Sequence, residues 1–361
     1  MKYYELQVSA PGRLCISGEH QDYFGLPIIA AAINLRISIS GSKRKDKKFR
    51  IRLPDIKDEM EFLIYKEIAY HQERDYIRSA INVIQREGII LSSGWDCLIQ
   101  GNIPINAGTS SSSALVVAWI KFLLEAAKDF RASIPEKIAE LGFSAEVAEF
   151  KEPGGKMDHY ASSIGGIVSV HFERDMKIRK LKNPLKEFVL ADSLQKKDTT
   201  GMLGYIKGNV LRGVSFVKKK IKSFGLSSSL SPEVQREIEK LPLEEKRLLQ
   251  GTLLTRDLTK EVEALFGSDD FDHNRFGQLL SSQHSVLRDY LRISTPKIEE
   301  MIEASLNAGA LGAKINGSGG GGCIFAYSPG NAEKVAKALK KIDVKTYIIR
   351  VDDGARVDKS I

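Results

Sequence analysis

Four side chains that can form charged or directional hydrogen bonds fall within ten residues near the start of the chain: Arg13, Glu19, His20 and Asp22. Apolar segments that predict strands flank them on both sides. A loop that alternates donors and acceptors can pair with several adjacent hydroxyl groups, and each lost pairing is costly in a site that excludes water. The pattern favours binding of a polyol. The alternative is a polar turn in which His20 and Asp22 only satisfy each other.

A second segment, residues 104–114, is rich in glycine and serine and leads directly into an apolar run, residues 115–120, that predicts a buried helix. The N-terminus of a helix presents unpaired backbone N–H groups and the positive end of its dipole, which suit a phosphate. Serine hydroxyls can add hydrogen bonds or bind Mg²⁺. An ordinary serine N-cap is the alternative, but one serine is enough for a cap and the segment has four.

An acidic segment supplies two kinds of carboxylate. Glu146 and Glu149 lie one helical turn apart, and residues 153–155, Pro-Gly-Gly, then break the helix and place Asp158 on a separate loop. Phosphoryl transfer needs this division between a carboxylate that holds Mg²⁺ and a group that orients or deprotonates the attacking hydroxyl. The segment therefore predicts a metal ligand and a base, with a solvated helix face as the alternative for the glutamates.

A third segment, residues 312–323, contains Gly317, Gly319 and Gly322 in the pattern G-x-G-x-x-G. A dinucleotide fingerprint opens a helix early in a βαβ unit, whereas these glycines precede a predicted strand near the end of the chain. The P-loop pattern G-x-x-x-x-G-K-[ST] does not occur in the sequence. The segment predicts a backbone that approaches a ligand or another part of the chain closely, or else a tight turn between packed elements.

The surrounding elements must position these groups. Alternating apolar and polar residues in the first hundred predict half-buried strands of an antiparallel sheet. Ser133 and Glu136 form a capping-box pattern that predicts the start of a helix running towards Phe150. Helices and strands alternate near the end of the chain, which indicates an α+β layer. A polar, lysine-rich stretch, residues 180–186, predicts a domain boundary.

Composition sets the class of protein. The chain has 361 residues, 42% of them apolar, which excludes intrinsic disorder. The net charge of +8 suits anionic ligands without requiring nucleic acid. Three scattered cysteines, Cys15, Cys97 and Cys323, predict neither a disulfide framework nor a zinc site, which favours a reducing compartment. Because the sequence shows no signal peptide and no long apolar run, we expect a cytoplasmic protein with no membrane partner. We also expect no nucleic-acid partner, and a protein that is a monomer or a weak homodimer.

The three glycine- or serine-marked segments resemble, in order, the three motifs of the GHMP kinase family, named for galactokinase, homoserine kinase, mevalonate kinase and phosphomevalonate kinase. Residues 18–23, Gly-Glu-His-Gln-Asp-Tyr, and residues 153–158, Pro-Gly-Gly-Lys-Met-Asp, are similar to galactokinases and related sugar-1-kinases. The third motif is closer to that of mevalonate kinases. The middle segment, residues 192–200, matches no galactokinase pattern.

The resemblance implies a two-domain α+β fold. An N-terminal mixed sheet with helices would span residues 1–180 and a ferredoxin-like domain residues 190–361, with ATP and a sugar between them. It implies ATP- and Mg²⁺-dependent phosphorylation of a sugar at its anomeric hydroxyl. A mevalonate-like or heptose-phosphate kinase is one alternative, which a basic pocket residue for a substrate phosphate or carboxylate would support. A catalytically silent sugar-sensing paralogue is the other.

The resemblance also implies roles for single residues. Asp158 would lie beside the acceptor hydroxyl, and Arg13 would neutralise charge next to it. The sugar hydroxyls would be held by Glu19, His20 and Asp22.

The nucleotide and metal roles follow from the same resemblance. Ser113 and Glu146 would bind Mg²⁺, with Glu149 as the alternative to Glu146. The nucleotide phosphates would be cradled by Gly108, Thr109, Ser110, Ser111, Ser112 and Ser113. The structural glycine loop that packs against this cradle would comprise Gly317, Gly319, Gly320 and Gly321.

Overall fold

The structure is a computed structural model that describes residues 4–172, 176–195 and 199–360. Within these ranges the chain forms two β-sheets with helices packed on both. Three residues of the middle segment, 196–198, lie outside the described ranges. The α+β class predicted from the sequence is confirmed.

The strands divide between an eight-stranded sheet and a four-stranded sheet. In chain order they are β1 (Leu6–Ser17), β2 (Ile28–Lys43), β3 (Lys48–Leu53), β4 (Asp58–Leu63), β5 (Trp95–Gly101), β6 (Ile167–His171), β7 (Lys177–Leu181), β8 (Phe188–Asp192), β9 (Gly312–Ile315), β10 (Cys323–Tyr327), β11 (Lys345–Ile349) and β12 (Arg356–Ser360).

The larger sheet has the order β12-β1-β2-β5-β3-β4, and β6 and β7 continue it from the first part of the long strand β2. Strand β3 has the alternation of buried and exposed side chains that its sequence predicts, since Phe49, Ile51 and Leu53 are buried and Arg50 and Arg52 are exposed. We expected an antiparallel sheet, but one pair of strands differs, since β3 runs parallel to β5. The sheet is therefore mixed, as the family resemblance implies.

The smaller sheet is antiparallel and has the order β11-β8-β10-β9. Counted within this sheet alone, the strand order is 4-1-3-2, with helices between the first and second strands and between the third and fourth. This is the ferredoxin-like arrangement expected for the second half of the chain. The last strand, β12, returns to pair with β1 in the larger sheet.

Helices cover both sheets and fill the middle of the chain. They are α1 (Tyr76–Arg86), α2 (Ser111–Ala127), α3 (Pro135–Phe143), α4 (Met157–Ile164), α5 (Thr199–Lys218), α6 (Pro232–Glu239), α7 (Leu243–Phe266), α8 (His273–Asp289), α9 (Pro296–Asn307) and α10 (Ala332–Lys340). In the described residues, no helix combines the length and the apolar character needed to cross a membrane.

Helix α2 is the central element of the first half. It is apolar on all sides and buried almost throughout, as the run at residues 115–120 predicted. Trp119 and Phe122 stack on each other with ring centroids 5.5 Å apart and pack beside Phe49 of β3 and Trp95 of β5. This packing fixes where the N-terminus of α2 emerges.

An apolar cluster joins the two sheets. It brings Leu14 and Ile16 of β1 together with Phe188 of β8 and Phe325 of β10, all of them buried. Burial of such side chains favours association by about 1.5–3 kcal/mol each. The shared core holds the two halves together and leaves a cavity at one end of β1.

The expected start of the helix after Ser133 is wrong by one residue. Helix α3 begins at Pro135, its N-cap is Ile134, and no side chain caps it. The Ser133 hydroxyl instead donates to the carbonyl of Phe130, closing a preceding 3₁₀ turn. Proline at the first helical position favours this start, because its fixed φ suits a helix and its missing N–H is one of those that a helix N-terminus leaves unpaired.

Candidate active site

The glycine- and serine-rich segment forms an open helix N-terminus on the cavity. Ser110 is the N-cap of α2 and has left-handed backbone geometry, with φ 59°, and its hydroxyl makes no capping hydrogen bond. Ser111, Ser112 and Ser113 follow in the first turn and line the same cavity. The backbone N–H groups of that turn and the positive end of the α2 dipole therefore face the cavity, as anion binding requires.

This loop is held from behind through its carbonyl groups. The carbonyl of Gly108 accepts hydrogen bonds from Arg13 Nη1 at 2.5 Å and Asn316 Nδ2 at 2.9 Å. The carbonyl of Thr109 accepts from the backbone N–H of Arg13, and that of Ala107 accepts from the backbone N–H of Cys323. With the carbonyls turned away, the N–H side of the loop is left to a ligand.

The glycine-rich segment at residues 317–322 provides part of this support. A Cβ atom at Gly322 would lie 2.6 Å from the carbonyl oxygen of Ala107, and one at Gly317 would lie 2.9 Å from that of Gly108. Both glycines have positive φ, 76° and 79°. Only glycine permits this backbone geometry and this close approach together. The predicted glycine loop thus lies against the loop before α2.

Arg13 and Asp158 meet in the cavity. Arg13 Nε donates to Asp158 Oδ1 at 2.7 Å, and the arginine is buried. Asp158 lies in the first turn of α4, directly after the Pro-Gly-Gly break, and not on a separate loop as expected, because the helix resumes at Met157. Burial would raise the pKa of the Asp158 carboxyl, but the charge and hydrogen bond of Arg13, helped by the hydroxyl of Ser110, lower the pKa below its ordinary value. Asp158 is therefore a carboxylate at neutral pH.

The polar loop near the N-terminus is held more firmly than the turn alternative assumed. Asp22 accepts the backbone N–H of Tyr23 at 2.9 Å and that of Met157 at 3.1 Å, one on each carboxylate oxygen. His20 Nδ1 pairs with the Tyr23 hydroxyl at 2.7 Å, and His20 Nε2 pairs with the carbonyl of Ser318 at 3.2 Å. Both residues line the cavity, and these hydrogen bonds join them to other residues rather than to each other.

Glu19 lies in the floor of the cavity as half of a buried ion pair. Its Oε1 pairs with Lys314 Nζ, and both side chains are fully buried. Lys314 Nζ also donates to the carbonyls of Cys15 at 3.0 Å and Ile315 at 3.1 Å, so all three of its N–H bonds are used. Glu19 Oε2 has no hydrogen-bond partner among the described residues. One carboxylate oxygen is thus fixed by the lysine, and the other lies buried beside the cavity.

Two hard oxygen donors suit a magnesium ion. Ser113 and Glu146 both line the cavity and are buried. Glu146 lies in a short π-helix, Ser144–Ala148, that continues α3. The described residues contain no cluster of three or more histidine, cysteine or acidic groups that could hold a metal. A site with few protein ligands fits Mg²⁺, which keeps several waters and takes other ligands from phosphates.

The second glutamate is placed elsewhere. Glu149 forms an ion pair with Arg86 at 2.7 Å and accepts a hydrogen bond from Tyr70 at 2.5 Å. The hydrogen bond from Arg86 lowers the pKa of Glu149. Glu149 is not among the residues that line the cavity. The structure therefore brings Glu146, and not the alternative, to the loop before α2.

The cationic side chains among the described cavity-lining residues are both paired. They are Arg13, on Asp158, and Arg74, whose Nε lies 2.8 Å from Glu152 Oε1. Arg74 Nη2 also donates to the hydroxyl of Thr200 in α5 at 2.5 Å. Within the described lining, neither cation is left without an acidic partner, so neither is available as a dedicated site for a phosphate or carboxylate on a substrate.

Sequence reasoning missed Lys314, Asn316, His159 and Arg74 as site residues. Lys314 did carry a signal, because it lies in a buried strand between Ala313 and Ile315, and a lysine there requires a charged partner. The amide of Asn316 bridges β1 and the loop before α2, since its Oδ1 accepts from the N–H of Cys15 and its Nδ2 donates to Gly108. Nothing in the sequence pairs residues that lie about 300 positions apart.

Three family models match separate parts of the chain. One described as "Galactokinase galactose-binding signature" matches residues 3–43, one described as "GHMP kinases N terminal domain" matches residues 75–166, and one described as "GHMP kinases C terminal" matches residues 260–344. The first covers the loop with Asp22, and the second covers the open N-terminus of α2 and Asp158.

Relatives with two different names resemble the chain over nearly its whole length. It is 31% identical to the mevalonate kinase of Pyrococcus furiosus, with 98% of each chain covered. It is 26% identical to the galactokinase of Actinobacillus succinogenes, with 95% of this chain and 89% of that protein covered. Its fold matches the crystal structure of Lactococcus lactis galactokinase complexed with galactose, with a TM-score of 0.81 at 19% identity, over 97% of this chain and 94% of that one.

Proposed function

The chain belongs to the GHMP kinase family, as its motifs predicted, and within that family we propose that it transfers the terminal phosphoryl group of ATP to the anomeric hydroxyl of a sugar. Members of the family are phosphotransferases with an alcohol group as acceptor. The observation that carries the proposal is the Arg13–Asp158 pair, which lies in one cavity with the open N-terminus of α2 and the Asp22 loop. A phosphate site, a base and a polyol site thus adjoin one another.

The nucleotide end of the cavity is the loop before α2. We assign the ATP phosphates to the backbone N–H groups and hydroxyls of residues 108–113, where the helix dipole favours negative charge. Ser113 and Glu146 would hold Mg²⁺, which when bound neutralises charge on the phosphates.

The acceptor end is organised by Asp158. Its carboxylate would accept the hydrogen of the attacking hydroxyl and hold that oxygen in line with the phosphorus. Arg13 keeps the carboxylate ionised and places positive charge beside the oxygens being transferred. Phosphoryl transfer gains little from early proton removal, so orientation and charge are the main contributions of this pair.

The polar floor supports a sugar as the acceptor. The Asp22 carboxylate is an acceptor that suits substrate hydroxyls, and Glu19 is a second carboxylate in the lining of the same cavity. The described cations of the lining are already paired, which favours a neutral polyol over an acidic substrate. His20, whose ring nitrogens both have protein partners, would contribute mainly by holding Tyr23 and the loop at Ser318 in place.

A coupled assay of ADP release tests the proposal. The protein with ATP and Mg²⁺ would be given free hexoses, pentoses, uronic acids, heptose phosphates and mevalonate. We expect turnover with a free sugar. Turnover of mevalonate or a heptose phosphate alone would support the first alternative, which the 31% identical mevalonate kinase favours. Sugar binding without ADP release for any compound would indicate the sugar-sensing paralogue.

The metal assignment predicts a specific defect. Glu146→Gln replaces an anionic oxygen ligand by a neutral amide, which a hard divalent cation binds less well. The Mg²⁺ concentration for half-maximal rate should rise at least about tenfold, the lower end of what losing even an outer partner of a metal ligand costs. Glu149→Gln is the matched control and should leave the Mg²⁺ dependence unchanged. A rise in the control alone would move the metal to Glu149.

The pairing of Arg13 with Asp158 predicts a change in pH dependence. Arg13→Gln removes the charge that lowers the pKa of Asp158 and leaves the burial that raises it. The acidic limb of kcat/KM should therefore move to higher pH in the residual activity of this variant, because Asp158 becomes protonated more readily. Arg13→Lys keeps a positive charge and should shift the limb less. Identical acidic limbs in all three proteins would show that Asp158 does not set the limb.

A further inference from the structure

His159 contacts the carboxylate that we assign to Mg²⁺. Its Nε2 lies 2.7 Å from Glu146 Oε2, and both side chains are buried. His159 occupies Oε2, and no described residue donates a hydrogen bond to Oε1 of the same carboxylate. Since Glu146 also lines the cavity, Oε1 is the oxygen available to a cation there.

The histidine ring is held on several sides. It packs edge-on against Phe143 with ring centroids 5.8 Å apart, and its Cδ2 lies against the Gly142 backbone, 3.2 Å from the position of a Cβ atom there. His159 Nδ1 is buried with no hydrogen-bond partner among the described residues. Within the described residues, the Nε2–H bond to Glu146 is therefore the one hydrogen bond of the ring, and it fixes which nitrogen carries the hydrogen.

The first turn of α4 carries one carboxylate of the candidate site, Asp158, and contacts the other, Glu146, through His159. Asp158 and His159 are neighbours in the first turn of α4, where Asp158 meets Arg13 and His159 meets Glu146. Glu146 itself lies in a short π-helical segment, a feature that is frequent at functional sites. The hydrogen bond from His159 ties its carboxylate to the helix that also carries Asp158.

We propose that His159 is a positioning residue for the metal, holding Glu146 so that one carboxylate oxygen faces the Mg²⁺ bound with the nucleotide. The inference rests on the proposed function, in which Glu146 is a metal ligand. Metal-binding side chains are commonly oriented by an outer hydrogen bond, and losing such a partner typically weakens metal binding by 10- to 100-fold.

The test compares two amides of different reach. In His159→Gln the side-chain nitrogen can occupy the place of Nε2 and donate to Glu146. In His159→Asn the amide nitrogen corresponds to Nδ1 and stops short. The two variants have similar polarity, so a difference between them reports the hydrogen bond rather than general packing. Mn²⁺ affinity in the presence of ADP, followed by electron paramagnetic resonance, gives a readout that does not depend on turnover.

We expect His159→Asn to bind Mn²⁺ about 10- to 100-fold more weakly and His159→Gln to recover most of that loss. ADP affinity measured with a chelator present should be similar in both. Equal, wild-type Mn²⁺ affinity in the Asn and Gln variants, with the affinity lost in Glu146→Gln, would overturn the positioning role while leaving the proposed function intact. Unchanged affinity in Glu146→Gln would overturn the metal assignment together with this inference.

Discussion

Asp158→Asn should lower kcat by at least about 10²-fold, the usual effect of removing a group that accepts a proton in the transition state. The amide keeps the shape of the carboxylate but loses its charge and its ability to take the hydrogen of the acceptor hydroxyl. It also leaves Arg13 without its anionic partner at 2.7 Å. Steady-state kinetics with a saturating sugar would measure the loss.

The control for this variant is nucleotide binding. The carbonyls of the phosphate loop are held by Arg13, Asn316 and Cys323, and Asp158 meets the loop through the Ser110 hydroxyl and not through its backbone, so the affinity for ATP should change little. A loss of turnover with ATP binding preserved would place Asp158 in the transfer step. An Asn variant that keeps most of its kcat would remove Asp158 from the mechanism.

Lys314→Met should lower the free energy of unfolding by about 3–5 kcal/mol, because it leaves the buried Glu19 carboxylate without its partner. Methionine has nearly the length of lysine, so packing against Phe325 is largely kept while the charge is removed. Urea unfolding of the variant beside the parent protein measures the difference.

The double variant Glu19→Gln/Lys314→Met tests the cause of that loss. It removes both charges, and a neutral pair of similar volume often restores stability where a single buried charge does not. We expect the double variant to be more stable than Lys314→Met alone. If the two variants unfold at the same urea concentration, the loss comes from packing or from the bonds to Cys15 and Ile315, and not from the stranded charge.

Local patterns predicted a large part of the fold. The apolar run after Ser113 forms the buried helix α2, and the alternation at Phe49, Ile51 and Leu53 forms β3, because each pattern shows within one segment which side chains must be buried. The return of β12 to the first sheet carries no such signal, since its five residues are all exposed and any edge could accept them. The parallel pairing of β3 with β5 likewise depends on the path between them rather than on either strand.

The candidate site was predictable where chemistry is confined to one segment. Arg13, Asp158 and the serine loop stood out because charged residues beside glycine breaks are unusual in packed chains. The ion pairs of the site could not be predicted in this way, because tertiary packing brings Glu19 to Lys314 and Glu146 to His159. The predicted roles of Glu19 and His20 as sugar ligands stay predictions, since the Glu19 side chain is buried against Lys314 and both ring nitrogens of His20 have protein partners.

The position of the transferred phosphate is the most direct test of the proposal that this protein phosphorylates a sugar at its anomeric hydroxyl. The protein would be incubated with ATP, Mg²⁺ and an equimolar mixture of mevalonate and the best sugar of the ADP-release panel, and the product examined by proton-coupled ³¹P NMR. A phosphate on the anomeric carbon couples to the single hydrogen there and gives a doublet, whereas a phosphate on a primary alcohol couples to two hydrogens and gives a triplet. We expect a doublet that belongs to a sugar. A triplet that belongs to phosphorylated mevalonate, with the sugar left unchanged, would show that the proposed sugar kinase activity is wrong.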